Sequence, residues 1–370
     1  MNYHRIVVKL GTNLLTAGSD RLNLEIMASL VGQIAALHRE GMELVIVSSG
    51  AVAAGRHRLG PIKERKGLPF KQVLAAVGQS RLMDAYDQLL GWHEITIAQA
   101  LLTRADLTDR LGYLNAHNTL SALLELRVVP IVNENDVVAV DEIQEAVFGD
   151  NDNLSALVAN LVNADLLMLL TDTAGLHTAN PHLDPNATLI ECVERIDASV
   201  ECLATTSHSE RSTGGMLTKI EAAKLATAAG VAAVIADGRE PNVVVRLAHG
   251  ESVGTYFQPL GSKLESRKRW LLSHPSKGKL LIDSGAANAL RQQNKSLLPA
   301  GITDVRGEFE RGDIAEVLDS DSGERIACGI SNYSSVDIDA IKGAHSDRIM
   351  DILGHDNGSE VVHRDNLVML

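Results

Sequence analysis

Apolar residues follow two rhythms along the first 240 positions. Short runs rich in Val, Ile and Leu lie at 5–10, 43–47, 94–98, 128–132, 166–170 and 232–236. Between them, apolar residues recur at helical spacing, as in Leu22, Ile26, Leu30, Ile34 and Leu37. Continuous apolar runs predict strands buried on both faces, and the longer spacing predicts amphipathic helices. The expected helices are 22–39 (with Gly41 as C-cap), 71–90, 115–126, 152–162 and 216–229. Strands alternating with helices predict βαβ units and a mostly parallel sheet covered on both sides, an α/β fold.

The rhythm changes after Phe257. Residues 262–277 are polar and basic, with Arg267, Lys268, Arg269 and Trp270 in a row, and read as a linker. Beyond them, short β-type runs at 279–282, 302–306, 314–318, 326–330 and 360–363 alternate with Gly-containing turns. That pattern predicts a small, mostly β domain. The expected divisions are 1–258, a linker at 259–277, and 278–370.

Composition narrows the classes of function. Of 370 residues, 45% are hydrophobic and 22% charged, which is globular. Only 3% are aromatic, so the core must be aliphatic. The net charge of −13 disfavours a general nucleic-acid or anionic-membrane binder, yet permits a local site for a small anion. Cys192, Cys202 and Cys328 lack CxxC spacing, so no zinc site or disulfide is expected and all three read as small, buried apolar residues. The start, MNYHRIVVKLG, has no signal-peptide core, and the apolar stretch 154–170 is broken by Asn160, Asn163 and Asp165. A soluble cytoplasmic protein with no membrane span is expected.

In parallel α/β sheets, ligands bind beyond the carboxyl ends of the strands. Those ends carry Lys9-Leu10-Gly11-Thr12-Asn13, Ser48-Ser49-Gly50-Ala51, Asn133-Glu134-Asn135-Asp136 and Thr171-Asp172-Thr173-Ala174-Gly175. Two further polar loops open helices: Gly149-Asp150-Asn151-Asp152-Asn153, and Ser212-Thr213-Gly214-Gly215-Met216 with Lys219 one turn in. A glycine turn feeding a helix leaves backbone amides for phosphate oxygens. Lys9 and Lys219 beside such turns can neutralise a transferring phosphoryl group. Neither GxxxxGK[ST] nor GxGxxG occurs, which excludes a P-loop or nicotinamide Rossmann reading. Asp152 reads either as a helix N-cap or as the partner that aims a phosphate-binding lysine. Asp136, Asp150 and Asp172 read as turn formers, or as ligands for an ammonium group or a Mg²⁺-bound water. The 13 histidines show no HxxxH spacing and read as surface or capping residues.

The motifs together resemble the amino-acid kinase family, and within it the branch that phosphorylates glutamate for proline biosynthesis. They are VVKLGTNLL (7–15), VIVSSGAVAAGR (45–56), AAVGQSRLM (75–83), LLTRAD (101–106), PIVNENDVVA (130–139), GDNDNLSALVA (149–159), LLTDTAGLHTANP (169–181) and TGGMLTKIEAA (213–223). SLLPAGI (296–302) and CGISNYSS (328–335) resemble the PUA domain that follows many such kinases. The resemblance implies a three-layer α/β/α sandwich, ATP with Mg²⁺, and L-glutamate as acceptor. It implies that Lys9 and Lys219 stabilise the phosphoryl group and that Asp152 organises them. Ser49, Asp136 and Asn151 would hold glutamate. Thr171, Asp172 and the turn Thr213, Gly214, Gly215, Met216, Leu217, Thr218 and Lys219 would hold ATP, with Lys9 shared. No side-chain metal ligand is implied.

The resemblance also implies inhibition by proline, a γ-glutamyl phosphate reductase as partner, and a homo-oligomer, dimer or tetramer. PUA domains often bind RNA, but residues 278–370 carry 9 Lys and Arg against 16 Asp and Glu, so RNA is not expected here. Two departures stand out: Ser212 where the family commonly has Gly, and a long stretch between Asp136 and Gly149. A carboxylate acceptor has an ordinary pKa of about 4.3 and is already ionised at neutral pH. The expected reaction therefore needs alignment and charge neutralisation, not a general base.

Overall fold

The computed structural model describes residues 3–60, 68–138, 151–181, 183–206, 215–263, 275–293 and 295–370. It divides into two units: Met1–Leu107 with Ala116–Lys263, and Thr108–Asn115 with Leu264–Leu370.

The first unit is built on eight strands: β1 (Arg5–Leu10), β2 (Glu43–Ser48), β3 (Ile97–Leu102), β4 (Val129–Glu134), β5 (Leu166–Thr171), β6 (Cys192–Val193), β7 (Ala232–Asp237) and β8 (Thr255–Phe257). They form one sheet in the order β3-β4-β2-β1-β5-β7-β8-β6. Every pairing is parallel except β7 with β8. The helices up to β8 are α1 (Thr12–Thr16), α2 (Leu24–Arg39), α3 (Ala51–Leu59), α4 (Leu68–Gly91), α5 (Arg104–Thr108), α6 (Arg110–Glu125, of which the residues up to Asn115 belong to the second unit), α7 (Asn151–Leu161), α8 (Ala198–Thr206), α9 (Met216–Ala228) and α10 (Val243–Ala248).

Strand periodicity decides which side chains meet which layer. Ile6, Val8 and Leu10 of β1 join one apolar cluster with residues of α2, α4 and α10. Val7 and Lys9 alternate to the opposite face, where α7 packs on β1 and α9 packs on α7. Asn23 caps α2, its side chain accepting from the Glu25 and Ile26 amides. Glu40 ends that helix and Gly41 follows in the left-handed region at φ 96°.

In this unit two elements and one side chain differ from the sequence expectation. The strand expected at 94–98 starts at Ile97, because Trp92–Ile95 are spent leaving α4: the Ile95 amide returns to the Leu90 carbonyl at 3.2 Å. Helix α6 begins at Arg110 rather than 115; Gly112 near its start hides the periodicity. His117, expected at the surface, is buried and bonds the Leu161 carbonyl through Nδ1 at 2.8 Å.

Helices α3 and α4 touch backbone to backbone. A Cβ at Gly78 would stand 1.7 Å from the Ala51 carbonyl oxygen, and one at Gly55 would stand 1.9 Å from the Leu74 carbonyl oxygen. Only paired glycines permit that approach, which holds α4 against the helix that follows β2.

The second unit is a five-stranded sheet of β9 (Gly278–Ile282), β10 (Ile302–Arg306), β11 (Ile314–Asp319), β12 (Arg325–Ile330) and β13 (Leu367–Met369), ordered β10-β9-β11-β12-β13. Helices α11 (Ser284–Gln293), α12 (Ser335–Ile341) and α13 (Ile349–Leu353) accompany it. Leu280, Ile282, Val317, Tyr333 and Val362 are buried in its core. The strand expected at 360–363 is absent: Val362 makes a single bridge with Leu297, and His363 then caps the turn at Arg364–Asn366. The last strand lies three residues on, at Leu367–Met369, on the edge beside β12. Cys328 is buried as expected, whereas Cys192, on the edge strand β6, and Cys202, on α8, are exposed. Among the described residues, no helix is long and apolar enough to cross a membrane.

Replacing Gly78 by alanine should destabilise the fold by about 1–3 kcal/mol, the usual range for overpacking. Denaturant unfolding checks this; an unchanged midpoint would show that the two backbones separate at no cost.

Candidate active site

Strand order reverses at β1. From β1 the chain goes to β2 beside it, out to β3 at the sheet's edge and back to β4 between them, then crosses to β5 on the other side of β1 and on to β7. Such a reversal opens a crevice at the carboxyl ends of the two strands it separates. Lys9 stands at that end of β1.

Asp152, the second residue of α7, is fully buried. Its Oδ1 pairs with Nζ of Lys9. Its Oδ2 accepts from Nζ of Lys219 at 3.1 Å and from Oγ1 of Thr218 at 2.9 Å. Lys9 and Lys219 are themselves 4% and 5% exposed, so water does little to screen the two positive charges. Burial alone would push the Asp152 carboxyl up. The ammonium of Lys9, then that of Lys219, and the Thr218 hydroxyl outweigh burial and hold it well below the usual carboxylate range. Asp152 therefore does not act as an N-cap; it organises two lysines from β1 and α9. A Cβ on Gly11 would stand 3.6 Å from Nζ of Lys9, so glycine there keeps the space beside the ammonium clear.

On the β2–β4 side, Asn151 precedes Asp152 and points elsewhere, because neighbours on a helix diverge by about 100°. Its Nδ2, with two protons, lies within hydrogen-bond distance of three oxygens: the Ser48 carbonyl at 3.1 Å, Ser49 Oγ at 3.0 Å and Asn133 Oδ1 at 2.9 Å. Asn133, near the end of β4, donates in turn from Nδ2 to Gln79 Oε1 on α4 at 2.8 Å. Buried Tyr86, also on α4, bonds Ser48 Oγ at 2.8 Å, and burial pushes its phenol up. Gly50 begins α3 at φ 103°, a left-handed backbone suited to glycine. Asp136 lies in the turn after β4, half-buried. Asn151 Oδ1 and Gln79 Nε2 are buried and have no hydrogen-bond partner among the described residues.

On the β5–β7 side, Thr171 and Asp172 close β5. Asp172 accepts from Asn13 Nδ2 at 3.3 Å and from Thr171 Oγ1 at 3.1 Å, and its carbonyl accepts from Arg239 Nη2 at 2.7 Å. Arg239 also forks onto Asp237 at the end of β7. Its guanidinium bonds help hold the Asp237 carboxyl below its ordinary range, against the opposing effect of burial. Gly215 precedes α9 in extended conformation with no side-chain cap, and Met216, Leu217, Thr218 and Lys219 form the first turn. Of the expected nucleotide residues, Thr213 and Gly214 lie outside the described residues, as do Ser212, Gly149 and Asp150.

Asn13 and Asn133 lie in the strand-end loops without an assigned role, and Gln79, Tyr86 and Arg239 lie outside those loops. Asn133 sits in the NEND motif beside Asp136, and Gln79 in AAVGQSRLM, so motif membership was the available signal for both. Arg239 lies two residues past a strand end, where an ordinary turn looks the same.

Paired ammonium groups and a cluster of side-chain amides thus lie together at the carboxyl ends of β1, β2 and β4. Residues 4–237 match the model of the amino acid kinase family, and residues 278–353 match the PUA domain. The chain belongs to the amino acid kinase family. It is 56% identical over its whole length to a protein named glutamate 5-kinase from Dehalococcoides mccartyi (strain CBDB1), covering 99% of that protein. It is 54% identical to the glutamate 5-kinase of Herpetosiphon aurantiacus, over 98% of each chain, and 48% identical to that of Haemophilus influenzae (strain PittEE), over all of each. Among solved structures, UMP kinase from Bacillus anthracis aligns with 70% of this chain and 98% of its own, at TM-score 0.48 and 14% identity.

Replacing Asp152 by asparagine leaves two buried ammonium groups uncompensated, and stability should fall by about 3–5 kcal/mol at neutral pH. Because the Asp152 carboxyl is depressed in the fold, its contribution is complete above the unfolded value near pH 4 and is lost as the pH falls below it. Unfolding of both proteins against pH should show the gap closing only in acid; a gap that closes as the pH rises would contradict the assignment.

Proposed function

We propose that this chain transfers the γ-phosphoryl group of ATP to the γ-carboxylate of L-glutamate, giving ADP and γ-glutamyl phosphate. The observation that carries the reading is the adjacency of Asn151 and Asp152 at the start of α7. One residue joins the amide pocket at β2 and β4, and the next joins the lysine pair at β1 and α9. A single helical turn thus ties the place for an amino acid to the place for a phosphoryl group. The full-length relatives named glutamate 5-kinase support the same acceptor.

In this reading Ser49, Asp136 and Asn151 hold glutamate, whose γ-carboxylate is ionised and needs no base. Thr171, Asp172 and the turn from Thr213 to Lys219 hold ATP, with the first amides of α9 facing its phosphates. A carboxylate oxygen bonds to phosphorus as the bond to the β–γ bridging oxygen breaks, and ADP leaves with that electron pair. Charge on the transferring oxygens is met by Lys9 and Lys219, held side by side by Asp152. Both Asp152 oxygens are engaged by lysines, so Asp152 does not suit a metal. Mg²⁺ fits as an ion carried on the phosphates and water, where it neutralises charge.

The family further supports a place at the start of proline biosynthesis in the cytoplasm, feedback by proline, a reductase that takes the labile acyl phosphate, and a homo-oligomer. The catalytic body is proposed as 1–258, joined through 259–277 to a PUA-type domain at 278–370. The acidic balance of that domain disfavours RNA as its partner.

ADP release with ATP, Mg²⁺ and a panel of glutamate, acetylglutamate, aspartate and UMP tests the acceptor. Turnover with glutamate, trapped as the hydroxamate by hydroxylamine, is expected; turnover only with another acceptor overturns the reading. Lys219→Ala should lower kcat by about 10²–10³-fold, the usual loss of one such donor, with little change in glutamate KM. A near-normal kcat would remove Lys219 from the reaction. Asp136→Ala should instead raise glutamate KM, and an altered KM for ATP alone would reverse that assignment.

A further inference from the structure

The amide network beside Ser49 fixes its own orientation. Asn151 Nδ2 faces three oxygens, so its Oδ1 is turned away from them. Asn133 Oδ1 accepts from Asn151 and from the Glu134 amide at 2.9 Å, so its Nδ2 is the atom that meets Gln79. Gln79 must then present Oε1 to Asn133 and Nε2 away from it. Among the described residues, the chain of amides ends in one unpartnered donor, Gln79 Nε2, and one unpartnered acceptor, Asn151 Oδ1, both buried. Buried amide groups in folded proteins are almost always satisfied; of the buried side-chain atoms left open among the described residues, these two share one network beside Ser49 and together suit a ligand of complementary pattern. That pattern is an anion to accept from Gln79 and a cation to donate to Asn151, the two charges of an α-amino acid.

We infer that Gln79 is a specificity-determining contact of the acceptor site, donating from Nε2 to the α-carboxylate of the amino-acid substrate. The assignment rests on glutamate being the acceptor. Gln79 suits the task because its helix is immobilised on both sides. Its neighbour Gly78 lies against Ala51 of α3, and Tyr86, two turns on, is tied to Ser48. The same side chain therefore braces Asn133 through its oxygen and reads the substrate through its nitrogen.

Gln79→Glu separates the two roles. The glutamate side chain keeps an oxygen for Asn133 Nδ2 and replaces the free donor by a second, negatively charged acceptor. A residue that only braces Asn133 would tolerate this change; a residue that grips a carboxylate would not. Steady-state kinetics should show glutamate KM raised about 10- to 100-fold, the worth of one hydrogen bond to a charged group, with kcat and the ATP KM near those of the parent chain. Gln79→Met removes both roles and guards against misfolding of the charged variant, with circular dichroism confirming the fold. Its loss should disappear for 4-aminobutanoate, which lacks the α-carboxylate, measured as a competitive inhibitor against glutamate. An unchanged glutamate KM in Gln79→Glu, or equal losses toward glutamate and 4-aminobutanoate in Gln79→Met, would reduce Gln79 to a brace. A parent chain inactive on glutamate would overturn the acceptor reading itself, a different failure from an active parent with an indifferent Gln79→Glu.

Discussion

Two ammonium groups are held next to one another in a place that water barely reaches, and a single carboxylate makes that possible. Without Asp152, Lys9 and Lys219 would repel and each would bear the full cost of desolvation. With it, they become a fixed pair of ammonium groups at the carboxyl end of β1. The three members come from β1, α7 and α9, elements that meet only because strand order reverses beside β1. The sheet topology and the electrostatics are therefore one constraint. A parallel sheet that did not turn at β1 would have no crevice in which to seat the pair.

Helix α7 carries that constraint outward. Asn151 reaches back to β2 and β4 while Asp152 reaches β1 and α9, so any rotation of the helix disturbs both halves together. On the far side, α4 supports the β2 end through Tyr86 and the β4 end through Gln79. The close glycine contact of α3 and α4 sets the depth of that support. Beyond β5, Arg239 ties Asp172 to Asp237 and fixes the edge on which the nucleotide is proposed to lie. Alignment of two anions is the work such a site must do, and each of these contacts restricts one direction of movement.

Much of the framework was legible in the chain. The runs at 5–10, 43–47, 128–132, 166–170 and 232–236 became five neighbouring strands of one sheet, because a strand buried on both faces has few alternatives to a continuous apolar run. Lys9, Asp152 and Lys219 were legible as charges placed at strand ends and glycine turns, and they meet in one buried cluster. Tyr86 and Gln79 were not legible as neighbours of Ser48 and Asn133, since a helical residue's partner across a sheet edge has no fixed sequence spacing. The strand expected at 360–363 failed because burial of Val361 and Val362 reads the same whether the backbone pairs along its length or at one bridge. The edge strand at 367–369 is only three residues long, too short for alternation to register.

The most direct measurement is a crystal structure of the full chain with L-glutamate, Mg²⁺ and a non-hydrolysable ATP analogue. The γ-phosphoryl group should lie within hydrogen-bond reach of Nζ of both Lys9 and Lys219, with Asp152 still engaging both. The glutamate γ-carboxylate should face it in line, from the side of Ser49 and Asn151. A nucleotide whose γ-phosphoryl group rests away from the two lysines, or an amino acid seated away from the ends of β2 and β4, would contradict the account.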